Sequence, residues 1–373
     1  MEQKILLTAG PICTSMRVKE AMLRDLGTRD HEYQDMVEQL RNELLQLAHV
    51  DADTHSVVFL QGSGTYGVES VLDSSVGKKG KVLILSNGAY GERMEQICIA
   101  HGISYQMQSF SKLEALPVEQ LESYIKEDSI THVAFIHCET TAGVLNDLEA
   151  ILKLTHKYHK RSIVDAMSSF GSMEMNLKEL DMDFLITSSN KCLHGVPGVA
   201  IIYGKQEAFQ QCEGNADNLA MDLYKQWAEM EASHGAFRFT SPTHVLLALN
   251  EAVKELKEQG GIAVRHDHYV FLQKKIQDTM EELGFEAPVK REQQAPVITT
   301  YFIPEWMDFS HFYDWMKERD ILLYSGKLPG YHAFRIGNLG DLSVSDIERT
   351  LDEIRVYVGE YGPKSGKPSM VEE

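Results

Sequence analysis

Cysteine is scarce in this chain, with five in 373 residues: Cys13, Cys98, Cys138, Cys192 and Cys212. Their number is odd and no two stand in a Cys-x-x-Cys spacing, which argues against a disulfide framework and against a zinc site. No metal is expected, and a reducing compartment, the cytoplasm, is. Long apolar runs are also missing. None reaches the ~18 residues a membrane-crossing helix needs, and Met1-Glu2-Gln3-Lys4 lacks the charged and apolar pattern of a signal peptide. Positive charge is in deficit, with 36 Lys and Arg against 55 Asp and Glu and a net charge of −19. A nucleic-acid partner is therefore not expected, because a phosphate backbone would be repelled. An anionic small molecule would need a local cationic pocket. Repeats and low-complexity tracts are absent.

What remains is ordinary globular composition, with 43% hydrophobic and 24% charged residues, enough for one large core and a smaller one. From residue 56 to 203 the chain repeats strand, loop, helix. Short apolar runs such as Ser56–Leu60, Lys81–Leu85, Thr131–His137, Arg161–Asp165, Phe184–Ile186 and Val199–Tyr203 alternate with helical periodicity. That rhythm predicts an α/β fold with a mainly parallel, doubly wound sheet. In such sheets ligands bind at the loops that follow the strands. Residues 205–232 and 244–258 read as helices, and Gly260-Gly261 marks a break. Strands at 297–302, 321–324 and 333–336 with helices at 309–319 and 343–358 predict a smaller α+β C-terminal domain. The expected division is 1–257, an N-terminal arm plus the large domain, 258–361, the small domain, and 362–373, a polar disordered tail.

One strand-end loop stands out: Thr187-Ser188-Ser189-Asn190-Lys191-Cys192-Leu193-His194-Gly195. Lysines ordinarily lie on solvated faces. Lys191 instead sits between two apolar runs, with no other charge from Thr187 to Tyr203, His194 counted neutral. A desolvated amine is a usable nucleophile. Upstream, the strand Arg161–Asp165 ends in an acid. An acid at the end of one strand and a lysine after the next is what pyridoxal 5'-phosphate (PLP) chemistry needs. The lysine holds the aldehyde, and the aspartate keeps the ring nitrogen protonated.

Other strand ends add to this. Gln61-Gly62-Ser63-Gly64-Thr65-Tyr66-Gly67 opens a helix with small residues, where free backbone N–H groups can hold a phosphate; a plain tight turn is equally open. Gly62, Gly64 and Gly67 also match a dinucleotide spacing, which keeps a NAD-dependent oxidoreductase as a reading of another class. Tyr90 lies between Gly88 and Gly91 after a strand, placed to present its ring face. Arg335 lies on an apolar strand and could hold a carboxylate or phosphonate through two parallel hydrogen bonds, a buried ion pair being the alternative. Arg29 and His31 stand in a charged cluster that is either a solvated helix start or part of an anion pocket. His137, His194 and His244 read as loop hydrogen-bonders.

With these residues assembled, the chain resembles the class V aminotransferases of the fold-type I PLP enzymes. The resemblance runs from Leu7-Thr8-Ala9-Gly10-Pro11 to Phe334-Arg335-Ile336-Gly337-Asn338. It is carried by Asn87-Gly88-Ala89-Tyr90-Gly91-Glu92-Arg93, His137-Cys138-Glu139-Thr140-Thr141, Val164-Asp165-Ala166-Met167-Ser168-Ser169-Phe170-Gly171 and Ser188-Ser189-Asn190-Lys191-Cys192. Within the family it is similar to the branch that takes 2-aminoethylphosphonate as donor and pyruvate as acceptor, giving phosphonoacetaldehyde and L-alanine. The resemblance implies Lys191 as the Schiff-base lysine and Asp165 at the ring nitrogen. It implies Ser63, Gly64 and Thr65 at the cofactor phosphate, Tyr90 on the ring face and Thr140 as a hydrogen-bond partner. Thr240 would reach the phosphate of a neighbouring subunit, so a homodimer with shared sites is expected. Gly10, Arg29 and Arg335 would face the substrate. Ala142 and Phe237 depart from the family's pattern. Alanine–glyoxylate or serine–pyruvate transamination, or a lyase acting on a hydroxylated aminoethylphosphonate, are the alternatives on the same scaffold.

Overall fold

The apolar runs become strands that hydrogen-bond into two main sheets. The computed structural model describes residues 3–326, 328 and 330–363, so most of the tail expected from 362 onward lies outside the described residues. In chain order the first strands are β1 Ile5–Leu7, β2 His55–Gln61, β3 Val82–Ser86, β4 Tyr105–Ser109, β5 His132–Ile136, β6 Cys138–Glu139 and β7 Val144–Leu145. They are followed by β8 Arg161–Asp165, β9 Phe184–Ser188, β10 Val199–Lys205, β11 Ile298–Phe302, β12 Ile321–Ser325 and β13 Ala333–Gly337.

The large sheet has the order β2-β10-β9-β8-β5-β3-β4. Strand β10 pairs antiparallel with both β2 and β9, and the remaining neighbours pair in parallel. Six of the seven strands therefore run one way, and the loops that leave their C-terminal ends share one edge. Strands β3, β5 and β9 are buried at every residue, as a parallel sheet covered on both faces requires. Edge strand β4, with sequence Tyr-Gln-Met-Gln-Ser, is only partly buried. These strands and the flanking helices build the larger apolar core.

The second sheet, β1-β12-β13-β11, packs a separate core with the Val344–Tyr361 helix and the Phe309–Lys317 helix. Its first strand is the N-terminal arm, which the sequence reading grouped with the large domain. Ile5–Leu7 pairs in parallel with Ile321–Leu323, because that edge offers the short arm strand unpaired backbone groups it can satisfy. The break expected at Gly260-Gly261 separates the Thr243–Glu258 helix from the Gly261–Glu282 helix, with both glycines at positive φ. The single helix expected over 205–232 is instead two, Gln206–Gln210 and Leu223–Ala232. Between them the chain turns so that Asp73, buried in the large core, accepts from Asp217 N (3.2 Å) and Asn218 Nδ2 (2.7 Å). Asp222 then caps the second helix. No helix among the described residues is long and apolar enough to cross a membrane.

Candidate active site

Five loops leave the C-terminal edge of the large sheet, after β2, β3, β5, β8 and β9, and they converge. The loop after β9 is closed on itself. His194 N donates to Lys191 O (2.8 Å), Gly195 N to Ser189 O (2.8 Å), and the Ser189 hydroxyl to Val196 O (2.6 Å). His194 takes a left-handed φ of 63° to make this turn. From outside, the buried Arg265 guanidinium donates to Cys192 O (2.9 Å). The flanks expected to be buried are buried, and Lys191 itself is half-buried. Its Nζ donates to the Ser168 hydroxyl (2.8 Å) and stands 5.6 Å from the centroid of the Tyr90 ring. Gly10 closes one side: a side chain there would begin 3.6 Å from Lys191 Cε.

Asp165 ends β8 at 6% exposure. Its Oδ1 accepts from Met167 N (3.0 Å). Burial pushes this carboxyl above its ordinary value, while the Met167 amide and the charges of Lys191 and Arg93 pull the other way. An acid in that position gains most from a cationic N–H partner. Across the sheet edge, Ser63 stands at the N-cap of the Gly64–Val76 helix without making a side-chain cap hydrogen bond. Its hydroxyl is therefore not spent on the helix. Gly64 has no room for a side chain, since a Cβ would fall 2.2 Å from Met167 Sδ. The free amides and the dipole at this helix start suit an anion. Thr65 Oγ1 accepts from Arg93 Nη1 (3.1 Å), and the Arg93 guanidinium lies 4.9 Å from the Tyr90 ring centroid.

The loop after β5 supplies the last wall. Thr140, fully buried, donates from Oγ1 to the Tyr90 hydroxyl (3.3 Å), and its carbonyl accepts from Arg335 Nη1 (2.9 Å). Arg335 comes from β13 of the other sheet. It is 8% exposed, and its Nε is buried with no hydrogen-bond partner among the described residues. Burial disfavours its charge, with Tyr90 and Glu139 acting in the opposite sense. A buried donor without an acceptor is expensive to keep. A bound anion would satisfy it, whereas the ion-pair alternative weighed from the sequence would already have done so.

The structure thus joins Gly10, Ser63, Gly64, Thr65, Tyr90, Thr140, Asp165, Lys191 and Arg335 in one constellation. Arg29 and Thr240 are exposed, and the contacts that link the others do not include them. The three histidines hydrogen-bond, His137 and His194 from loops as expected and His244 from the first turn of the Thr243–Glu258 helix. His137 bonds the Ser169 hydroxyl through Nδ1 (3.0 Å), His194 the buried Tyr269 hydroxyl, and His244 the exposed Asp25 (3.2 Å). Nothing in the sequence singles out Ser168, Glu139 or Arg93, which carry side-chain contacts of the site. Each lies inside one of the motifs quoted above, but its partner is tens of residues away.

Comparison with known proteins bears on the family and the fold. A family model described as aminotransferase class-V matches residues 12–336. The chain is 43% identical over 358 residues to the 2-aminoethylphosphonate–pyruvate transaminase of Phocaeicola vulgatus, covering 95% of this chain and 99% of that one. It is 42% identical over 352 residues to the enzyme of that name from Bacillus cereus, covering 94% and 96%. Among solved structures, the ureidoglycine–glyoxylate aminotransferase of Bacillus subtilis superposes with a TM-score of 0.89 at 22% identity, covering 98% and 96%. That likeness speaks to the fold.

Proposed function

The chain belongs to the class V aminotransferase family, and on that premise we propose that it moves the amino group of 2-aminoethylphosphonate to pyruvate, with PLP as cofactor, giving phosphonoacetaldehyde and L-alanine. The observation that carries the reading is the buried Arg335 guanidinium with its unmet Nε, tied through Thr140 to the Tyr90 hydroxyl. Both substrates bring an anionic group, a phosphonate on the donor and a carboxylate on the acceptor. A planar guanidinium can bind either through two parallel hydrogen bonds.

The residues present fit PLP. Lys191 would hold it covalently through Nζ, Asp165 would meet its ring nitrogen, and Tyr90 would cover one ring face. Ser63, Gly64 and Thr65 would hold the phosphate at the helix start, with the Thr140 hydroxyl as a further partner. When bound, PLP supplies an electron-poor ring that makes the hydrogen on the carbon beside the transferred nitrogen removable. Burial disfavours a bare charge on Asp165, and a protonated ring nitrogen beside it would offset that cost and hold the carboxylate form. Lys191 Nζ, within reach of the Ser168 hydroxyl, is the base that takes a proton from the donor carbon. It delivers one to the acceptor carbon in the reverse half. Gly10 lies against the Lys191 side chain, and we assign it to the substrate side of the site. Arg29 is assigned to the rim of the anion pocket. Thr240 is exposed, and we assign it to the phosphate of a second copy, so the working form is a homodimer.

The test is a donor screen with pyruvate. Incubation of the PLP-loaded protein with 2-aminoethylphosphonate should yield phosphonoacetaldehyde and alanine in equal amounts. Turnover of alanine with glyoxylate or of serine, with none of the aminophosphonate, would overturn the substrate assignment.

A further inference from the structure

The helix that carries Tyr90, Ala89–His101, has no cap of its own. Its N-cap is Gly88, which offers no side chain. The first amides of that helix are met from another loop. Tyr90 N donates to Glu139 Oε2 (3.2 Å), and Ala89 N to the Thr141 hydroxyl (3.4 Å). Glu139 Oε1 accepts from Thr141 N (2.9 Å) and from the Thr141 hydroxyl. Glycine at 88 is what lets this happen, since a Cβ there would fall 2.3 Å from Glu139 Cδ.

Glu139 is 0% exposed. Burial raises its carboxyl above the ordinary value, while the Thr141 and Tyr90 donors lower it. A serine at an N-cap satisfies such amides without burying a charge. A wholly buried carboxylate is the costlier solution. What it adds is its neighbour: Thr140, between Glu139 and Thr141, holds the Arg335 guanidinium through its carbonyl and the Tyr90 hydroxyl through its own. Three consecutive residues thus grip both the ring-face tyrosine and the anion-binding arginine.

We propose that Glu139 is a positioning residue that locks Tyr90 and Arg335 into one frame, so that the cofactor face and the substrate's anionic group are held at a set separation. This rests on the function proposed above. The carboxylate accepts at both ends, from Tyr90 N at one oxygen and from Thr141 at the other. An amide can accept at only one, so Glu139→Gln keeps the volume and loses one of the two grips.

The experiment compares wild type with Glu139→Gln and Thr141→Val. It measures kcat and KM separately for 2-aminoethylphosphonate and pyruvate, and amide hydrogen exchange at Ala89 and Tyr90 in protein without added PLP. We expect KM for both anionic substrates to rise about tenfold in Glu139→Gln, with a smaller fall in kcat, and exchange at Ala89 and Tyr90 to quicken about tenfold. Thr141→Val should show the same split to a lesser degree. If Glu139→Gln does not fold, Thr141→Val decides. Faster exchange with unchanged KM values would reduce Glu139 to a helix cap and overturn the proposal. A wild-type protein inactive on 2-aminoethylphosphonate would instead reject the function, and the same KM comparison would then be made with alanine and glyoxylate, unchanged values again overturning the proposal.

Discussion

Replacing Arg335 with glutamine distinguishes an anion anchor from a structural cation. In the structure this guanidinium is 8% exposed, spends Nη1 on the Thr140 carbonyl, and leaves Nε without a partner. An unmet buried donor costs about 1–3 kcal/mol. Without substrate, Arg335→Gln should therefore melt no lower than wild type. With substrate the balance reverses. Two charge-assisted hydrogen bonds of about 1.5–3 kcal/mol each are lost, about 3–6 kcal/mol together. At ~1.4 kcal/mol per factor of ten, kcat/KM should fall about a hundred- to ten-thousandfold. The same loss is readable without turnover. An unreactive alkylphosphonate at about a hundred times its Kd stabilises the wild type by about 2.7 kcal/mol. An unfolding entropy of about 2.1 cal/mol/K per residue over 373 residues gives ~0.8 kcal/mol/K, so Tm should rise by about 3 °C. The variant should show no such rise. The reasoning fails if Arg335→Gln keeps the ligand-induced rise and wild-type kcat/KM, or if it melts several degrees lower with catalysis unchanged.

Lys191→Ala should abolish turnover, and borohydride treatment of the PLP-loaded variant should leave no cofactor on the peptide spanning position 191; a normal rate would sink the assignment. Gly64→Ala drives a methyl to 2.2 Å from Met167 Sδ. Overpacking of this kind costs about 1–3 kcal/mol, and Met167 N anchors Asp165. PLP affinity should drop, and adding Met167→Ala should restore part of it; titration of the cofactor checks both. Burial holds His137 down to about 4, below its ordinary 6.5. The unfolded chain therefore binds the extra proton between those values. The stability this group contributes is full above about 6.5 and is lost as pH falls toward about 4, with a slope approaching ~1.4 kcal/mol per pH unit. Urea midpoints from pH 7 to 4.5 should show this slope reduced in His137→Gln, and an identical slope would refute the contribution.

Much of this protein is legible locally. The strands at 82–86, 132–136 and 184–188 announce themselves through the apolar runs Val82–Leu85, Val133–Ile136 and Phe184–Ile186, because a strand buried on both faces is mostly apolar. Lys191 stands out because its flanks are apolar, and the Ser63-Gly64-Thr65 turn because small residues open a helix. Each of these signals lies within about ten residues of chain. The misread helix over 205–232 shows the limit. The chain turns at Gly214, at a φ of 73°, and the residues after it donate to the buried Asp73, a partner far away in sequence.

Composition, strand-to-helix rhythm and the chemistry of the strand-end loops thus determined, from sequence alone, the kind of sheet, and they pointed to Lys191 and Asp165 as the pair on which the proposed function rests. Tertiary structure alone decided that the arm Ile5–Leu7 completes the second sheet, that Glu139 caps the helix of Tyr90, and that Arg335 reaches Thr140 across 195 residues of chain. The reason is the range of the forces. Propensity and periodicity act between neighbours. A buried carboxylate, an unpaired strand edge or a desolvated guanidinium is satisfied by whatever group the folded chain brings within about 3 Å, and sequence separation does not enter that distance.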